Sequence, residues 1–260
     1  MEEELDVREV LATGKGLDEL IVRASYDREI LDEVIKYLDD DLWIVQKNAL
    51  IVIMNVIEEY EELIDPLVRK LLVMVRKSEA VPLTLEIART IGLISKIKPE
   101  LIQGMVPVIL ANYRIGDPKI RINMAYIIEE IMRNNPRLLG NIVREIASML
   151  TSPDEMDRLV ALNFISALAD NHTRYVTPFL PRLLSLLYDR NEIVRVSVVE
   201  TLTGLALKNP KFRKIIKAKL QELDDRSEIV MEKVREGLTK IALAESEEGG
   251  EAADQASTPP

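Results

Sequence analysis

Residues 189–205 read DRNEIVRVSVVETLTGL, and the spacing within this stretch decides the fold. Asp189, Arg190 and Asn191 form a turn signal. Leu202 and Leu205 beyond it are the latest members of two apolar columns that recur at steps of 37 residues. One column is Met54, Ile91, Ile128, Ile165 and Leu202, and the other is Ile57, Ile94, Ile131, Leu168 and Leu205. Leu238 and Ile241 restore both if one residue is deleted from the preceding turn. Upstream of the turn run Ile35, Leu72, Ile109, Ile146, Leu183 and Leu220, beside Leu31, Val68, Met105, Ile142, Phe179 and Ile216. Within a unit the recurring apolar positions lie three, four and seven apart, which is one face of an α-helix and not the alternation of a strand. Each unit is therefore two helices joined by a turn.

The punctuation agrees. Gly116, Asp117 and Pro118 separate one helix pair, and Ser152, Pro153 and Asp154 the next. Pro99, Pro136 and Pro210 keep the same step at the joints between units, where proline stops a helix. First helices are expected near 29–38, 66–77, 103–114, 140–150, 177–188 and 214–223. Second helices are expected near 42–60, 81–97, 118–134, 155–171, 192–207 and 228–243. A lone hairpin cannot bury its apolar stripe, whereas stacked hairpins bury a continuous core. The expectation is an all-α chain, a right-handed α-solenoid of about six stacked two-helix units spanning 29–244. Residues 1–28 would cap it, because Ala49 to Met54 is apolar all round and needs a cover that Leu17 and Leu20 can supply. Residues 245–260 form an acidic tail with too little apolar content to order itself.

The turn and the helix after it are similar to HEAT repeats. These carry an Asp in the turn, a Val/Ile–Arg pair opening the second helix and an apolar residue one turn later. Asp189, Asn191, Val194, Arg195 and Val199 match, Arg121 and Arg158 occupy the same place in two other units, and Met231, Thr84 and Val45 stand where the Arg is lost. The resemblance implies a HEAT-like repeat protein that binds an extended partner along its concave second-helix face. With four Gln and no Cys, the composition leans toward an archaeal or thermophilic source.

Composition excludes much chemistry. With no cysteine there is no disulfide, thiolate metal site or thiol nucleophile, and the single histidine, His172, leaves no second imidazole for a zinc site or a triad. The Gly14-Lys15-Gly16 segment lacks the spacing of a phosphate loop and reads as a linker. No catalytic, cofactor or metal residues are assigned, and the chain is read as not an enzyme. The acidic N-terminus lacks the features of a signal peptide and no apolar run spans a bilayer, so no membrane is involved and the cytoplasm is the default location.

Charge is lopsided: residues 1–63 hold 18 acids and 6 bases, residues 66–219 hold 14 acids and 24 bases. Two binding surfaces follow. On the concave face, Arg89, Tyr126, Asn163 and Glu200, flanked by Asn123 and Arg133, offer mixed charge suited to a protein partner. The alternative is a basic stripe for nucleic acid through Lys208, Lys211, Arg213, Lys214 and Lys217, with a remote HEAT-like DNA glycosylase as its enzymatic form. Arg121, Arg158 and Arg195 read as an internal ladder between turns. Trp43 reads as a lid over the end of the core or as an anchor for a partner.

Overall fold

The computed structural model describes residues 6–256, with side chains described for 6–247, and every regular element among them is helical. Contacts divide the chain into two compact units, residues 1–138 and 139–260.

The first unit opens with α1 (Val7–Thr13) and α2 (Leu17–Tyr26). Hairpins follow: α3 (Arg28–Lys36) with α4 (Trp43–Val56), α5 (Ile64–Lys77) with α6 (Val81–Ile97), and α7 (Pro99–Ile115) with α8 (Pro118–Asn134). Each helix packs on its hairpin partner, and the second helices lie side by side, α4 between α2 and α6, and α6 against α8. The all-round apolar α4 is thereby enclosed. Its Ala49, Leu50, Val52 and Ile53 are buried, and Leu11 and Leu20 of α1 and α2 are fully buried over it. Gly14 and Gly16, at φ 74° and 79°, make the turn that folds α1 back on α2, in a region where a β-carbon is strained. Gly92 serves packing instead. A β-carbon there would lie 2.7 Å from Cβ of Glu130, so α6 and α8 approach as closely as they do only with glycine at this position.

The second unit repeats the plan with α9 (Gly140–Met149) and α10 (Glu155–Asn171), α11 (Leu180–Leu186) and α12 (Glu192–Lys208), and α13 (Pro210–Glu222) and α14 (Glu228–Ala256). α12 lies between α10 and α14. Gly237 plays the part of Gly92, since a β-carbon there would meet Oγ1 of Thr203 at 2.4 Å.

Turn residues work as helix caps. Asp117, Asp154 and Asn191 accept from Ile120, Met156 and Ile193 backbone N–H groups at 3.0, 2.9 and 2.8 Å. Carbonyls left open at helix ends are filled from elsewhere in the stack: Asn48 Nδ2 donates to Leu11 O (2.8 Å), Asn123 Nδ2 to Val75 O (2.8 Å) and Asn135 Nδ2 to Ser95 O (2.9 Å).

Four boundaries depart from the sequence reading. Pro99 and Pro210 begin α7 and α13 several residues before the expected starts, because proline's fixed φ and missing N–H suit the first turn of a helix as well as they end one. α11 is short, with residues 177–179 in a 3-10 turn ahead of it. α14 continues to Ala256, past the point where an unordered acidic tail was expected. Its alanines and glutamates have high helix propensity and extend a helix already nucleated on the core. Residues 257–260 of that tail lie outside the described residues.

Candidate partner-binding surfaces

Stacked hairpins offer two kinds of surface, the faces of the second helices and the edge along which the inter-helix turns follow one another. The structure treats them differently.

On the second-helix face of the first unit Arg89 is exposed, Tyr126 half-buried, and Arg133 half-buried beside Glu130, with which it pairs. Asn123 does not belong to this surface. It is buried, and its amide is committed to Val75 O and, at 3.4 Å, Ser78 O, because the end of α5 passes close to this turn of α8. In the second unit Asn163 and Glu200 are exposed. Glu200 borders a shallow hollow of about 310 Å³ between α12 and α14, floored by Gly204 and Gly237. Lys233 stands over it, 3.7 Å from Glu200 and 3.0 Å from Glu236.

Cations in and beside the basic stripe are partly paired. Lys208 pairs with Asp170, Lys217 with Glu245 at 2.5 Å and Lys219 with Glu222 at 2.7 Å. Arg213 is a correction to the sequence reading. It is 5% exposed and donates from Nε to Ala206 O at 3.1 Å, capping the last turn of α12. Only Lys211 and Lys214 of that set are exposed without an ion pair.

Along the turn edge a recurring clasp joins neighbouring layers. Arg158 donates from Nη2 to Asp189 Oδ1 (3.1 Å), with its Nε in ion-pair range of Oδ2 (3.0 Å) but not hydrogen-bonded to it, and its Nη1 donates to Ser152 O, six residues back in its own turn. Arg195 repeats this on Asp225 (2.5 and 2.9 Å) and on Asp189 O. In each case the clasped aspartate also accepts from the backbone N–H two residues on, Asn191 or Ser227. At Arg195 the fork is bidentate and fits the carboxylate's geometry, and in both cases the charge-assisted hydrogen bond holds one turn against the next. Asp225 is held below its ordinary value of 3.8 by the hydrogen bonds from Arg195, against the opposing effect of burial.

The sequence reading expected this ladder from Arg121, Arg158 and Arg195, and the latter two make it, whereas Arg121 is exposed. A third clasp went unforeseen. Arg8 of α1 grips Asp40 through Nε (2.8 Å) and Nη2 (3.2 Å), and Asp40 accepts from Leu42 N–H two residues on. Its carboxyl, too, lies below 3.8, first because of Arg8 and then because of Leu42. The readable signal was the six-residue interval from turn to ladder position. Gln46 donates to Asp40 O and Thr84 to Ser78 Oγ across the same interval as Arg158 and Arg195. Gln46, and not Val45, thus occupies the ladder position of the first hairpin, and Val45 is core.

Between the 39–42 turn and the 78–80 turn the clasp is missing. Gln46 bonds only within its own turn, and Ser78 stands where the other layers have aspartate. A cleft of about 630 Å³ opens there, lined by both turns, by Trp43 and by Val73 and Lys77 of α5. Trp43 is 42% exposed at this cleft, so it does not serve as a lid on the core, whose end α1 and α2 already cover.

His172 closes α10, its backbone N–H bonded to Leu168 O, and packs edge-on to Tyr175. Among the described residues no group of three or more His, Cys, Asp or Glu side chains could hold a metal ion, and no helix is long and apolar enough to cross a membrane.

Residues 39–83, two turns and the helices between them, match a family model described as the repeat of uncharacterized protein PH0542, of the HEAT type. No curated protein matches the chain. Among solved structures, a chain from the complex of Kap95p with RanGDP superposes with a TM-score of 0.54 at 12% identity, over 92% of this chain and 33% of that one. An archaeal HEAT-like repeats protein from Thermococcus onnurineus NA1 is 14% identical over 92% of this chain and 97% of its own, with a TM-score of 0.43. A designed armadillo repeat protein in complex with the peptide (KR)4 is 15% identical over 81% and 99%, also at 0.43. The chain is all-α, built of helical hairpins stacked within each unit, and residues 39–83 match a HEAT-type repeat.

Proposed function

We propose that the protein is a cytoplasmic, non-catalytic scaffold or adaptor, built of about six 37-residue repeats capped by residues 1–28, that binds another protein along the faces of its second helices. The observation that carries this reading is the composition of those faces: Arg89 and Tyr126 in the first unit, Asn163 and Glu200 in the second, mixed in charge and with a tyrosine among them. Such surfaces suit protein contacts, where aromatic and arginine side chains supply most of the affinity. The shallow hollow beside Glu200 is open and polar, shaped for a side chain of a partner and not for an enclosed substrate.

The rival reading, a nucleic-acid-associated protein or a remote glycosylase, needs cations free to meet phosphate. Pairing of Lys208, Lys217 and Lys219 and burial of Arg213 weigh against it. Affinity capture from the source cells, with Tyr126→Ala and Glu200→Lys as paired variants, tests the proposal. A stoichiometric protein partner lost in either variant is the expected result. Recovery of nucleic acid alone, with a shifted DNA or RNA band persisting at moderate salt, would overturn it.

A further inference from the structure

Within each unit the layers are bridged at their turns by side chains, with one exception. Arg8 spans to Asp40, Arg158 to Asp189 and Arg195 to Asp225, and Asn123 reaches back to Ser78 O. No hydrogen bond or ion pair joins the 39–42 turn to the 78–80 turn among the described residues, and the cleft of about 630 Å³ lies at that seam. An arginine thus bridges three of the seams and an asparagine a fourth, while the seam beside Gln46 has no such turn-to-turn bridge.

The walls of the cleft fit the same chemistry. Four carboxylates, Asp39, Asp40, Asp41 and Glu79, face two ammonium groups, Lys70 and Lys77. Asp40 is taken by Arg8, Asp39 pairs with Lys70 and Glu79 with Lys119, while Asp41 is exposed and has no partner among the described residues. Residues 1–63 carry 18 acids against 6 bases, and within the cleft Asp41 is the carboxylate left for an incoming cation. Trp43 and the half-exposed Val73 add an apolar edge on which a long methylene stem and a planar cation can lie.

We infer that this seam is a seat for an arginine side chain of a partner protein, presented on an exposed basic segment, its guanidinium entering from the Trp43 side to meet Asp41 and Glu79 and to occupy the place that an intrinsic clasp holds in the other layers. The site lies on the turn edge, apart from the second-helix faces, and does not depend on them. Lysine is a poorer occupant, because a compact ammonium can neither fork onto two acceptors nor stack flat on the indole.

Trp43 is the only tryptophan, so its emission reports on the seat directly. The full chain is titrated at low salt with the capped peptide Gly-Arg-Arg-Gly and with the same peptide carrying lysine or the neutral isostere citrulline. The expected result is a saturable change for arginine, binding about fivefold or more weaker for lysine, and none for citrulline. Gln46→Arg, which supplies the missing arginine internally, abolishes the response. Asp41→Asn with Glu79→Gln, both exposed and harmless to folding by circular dichroism, weakens it about tenfold. Tyr126→Ala and Glu200→Lys leave it unchanged, so failure here is separable from failure of the second-helix surface. Equal responses to arginine and citrulline, or an undiminished response in Gln46→Arg, would overturn the assignment. So would concentration-dependent dimerisation that shifts Trp43 emission without peptide and is lost in Gln46→Arg, which would assign the seam to a second copy of the chain.

Discussion

The seam between α10 and α12 and the seam between α4 and α6 use the same backbone plan and end differently. In the first, Arg158 and Asp189 are 5% and 8% exposed and lock one turn to the next. In the second, Gln46 and Ser78 are too short to meet, and the layers part at their turns although their helices still pack. Stacking of apolar stripes therefore suffices to build the layers. The clasps decide whether their turn edges are shut. A repeat protein can open a binding cleft by losing one long side chain, without altering its core.

Breaking the closed seam gives the largest expected effect. Arg158→Leu leaves Asp189 buried without its counter-charge and should lower stability by about 3–5 kcal/mol in urea unfolding. A loss below about 1 kcal/mol would show that the clasp merely decorates a seam held by packing.

Closing the open seam is the converse. Gln46→Arg with Ser78→Asp recreates the pair found in the second unit and should raise stability by about 1–2 kcal/mol, an upward shift of a few degrees in the thermal midpoint. Trp43 emission should move to the blue as the cleft closes around it. An unchanged spectrum and midpoint would mean that the two turns are held apart by something other than the missing clasp.

The helices were legible because their signal is redundant. Each column of apolar residues is restated in successive units, and α6, α8 and α10 begin and end where turn and proline signals placed them. The surfaces were less so. Asn123 and Tyr126 lie three apart, and periodicity puts both on one side of α8. It does not say that α5 passes close enough to bury the asparagine, since that depends on interlayer distance. Arg213 looked like one more cation in a run of lysines, and only the position of the α12 C-terminus shows its guanidinium turned inward. Arg8 was missed because α1 is outside the repeating pattern, so no column pointed to it. Gln46 was hidden by a one-residue offset in the first turn, which the 3-10 segment Tyr37–Asp39 introduces.

Acid should reveal the clasps without mutation. Asp225 and Asp40 both have folded-state values below 3.8, so each contributes stability that is fully present above that pH and is lost as pH falls through the lower folded value. Unfolding free energy should be flat from neutral pH down to about 4 as far as these groups are concerned, then decline. Asp225→Asn should remove its share of that acid limb while lowering stability at pH 7. A variant whose acid limb matched the parent's would show that Asp225 does not drive it. The open seam has no clasped aspartate of its own to lose, so Gln46→Arg with Ser78→Asp should steepen the decline.

The smallest effect separates burial from charge. Lys219 and Glu222 form an ion pair at 2.7 Å, as short as many bonds in the clasps, but their side chains are 46% and 61% exposed and one turn apart on a single helix. Hydrogen bonding to Glu222 raises the Lys219 pKa, yet water solvates both ends whether or not they touch, and salt screens what remains. Lys219→Gln should leave the unfolding midpoint within experimental error of the parent, at low salt and high. If it instead destabilised the protein as Arg158→Leu does, proximity of opposite charges would be enough to hold a layer, and the distinction between shut and open seams would have to be sought elsewhere. What separates Arg158 from Lys219 is that the former spans two layers, offers a rigid two-pronged donor and excludes water from its acceptor. Gln46 lacks those properties as well as the charge.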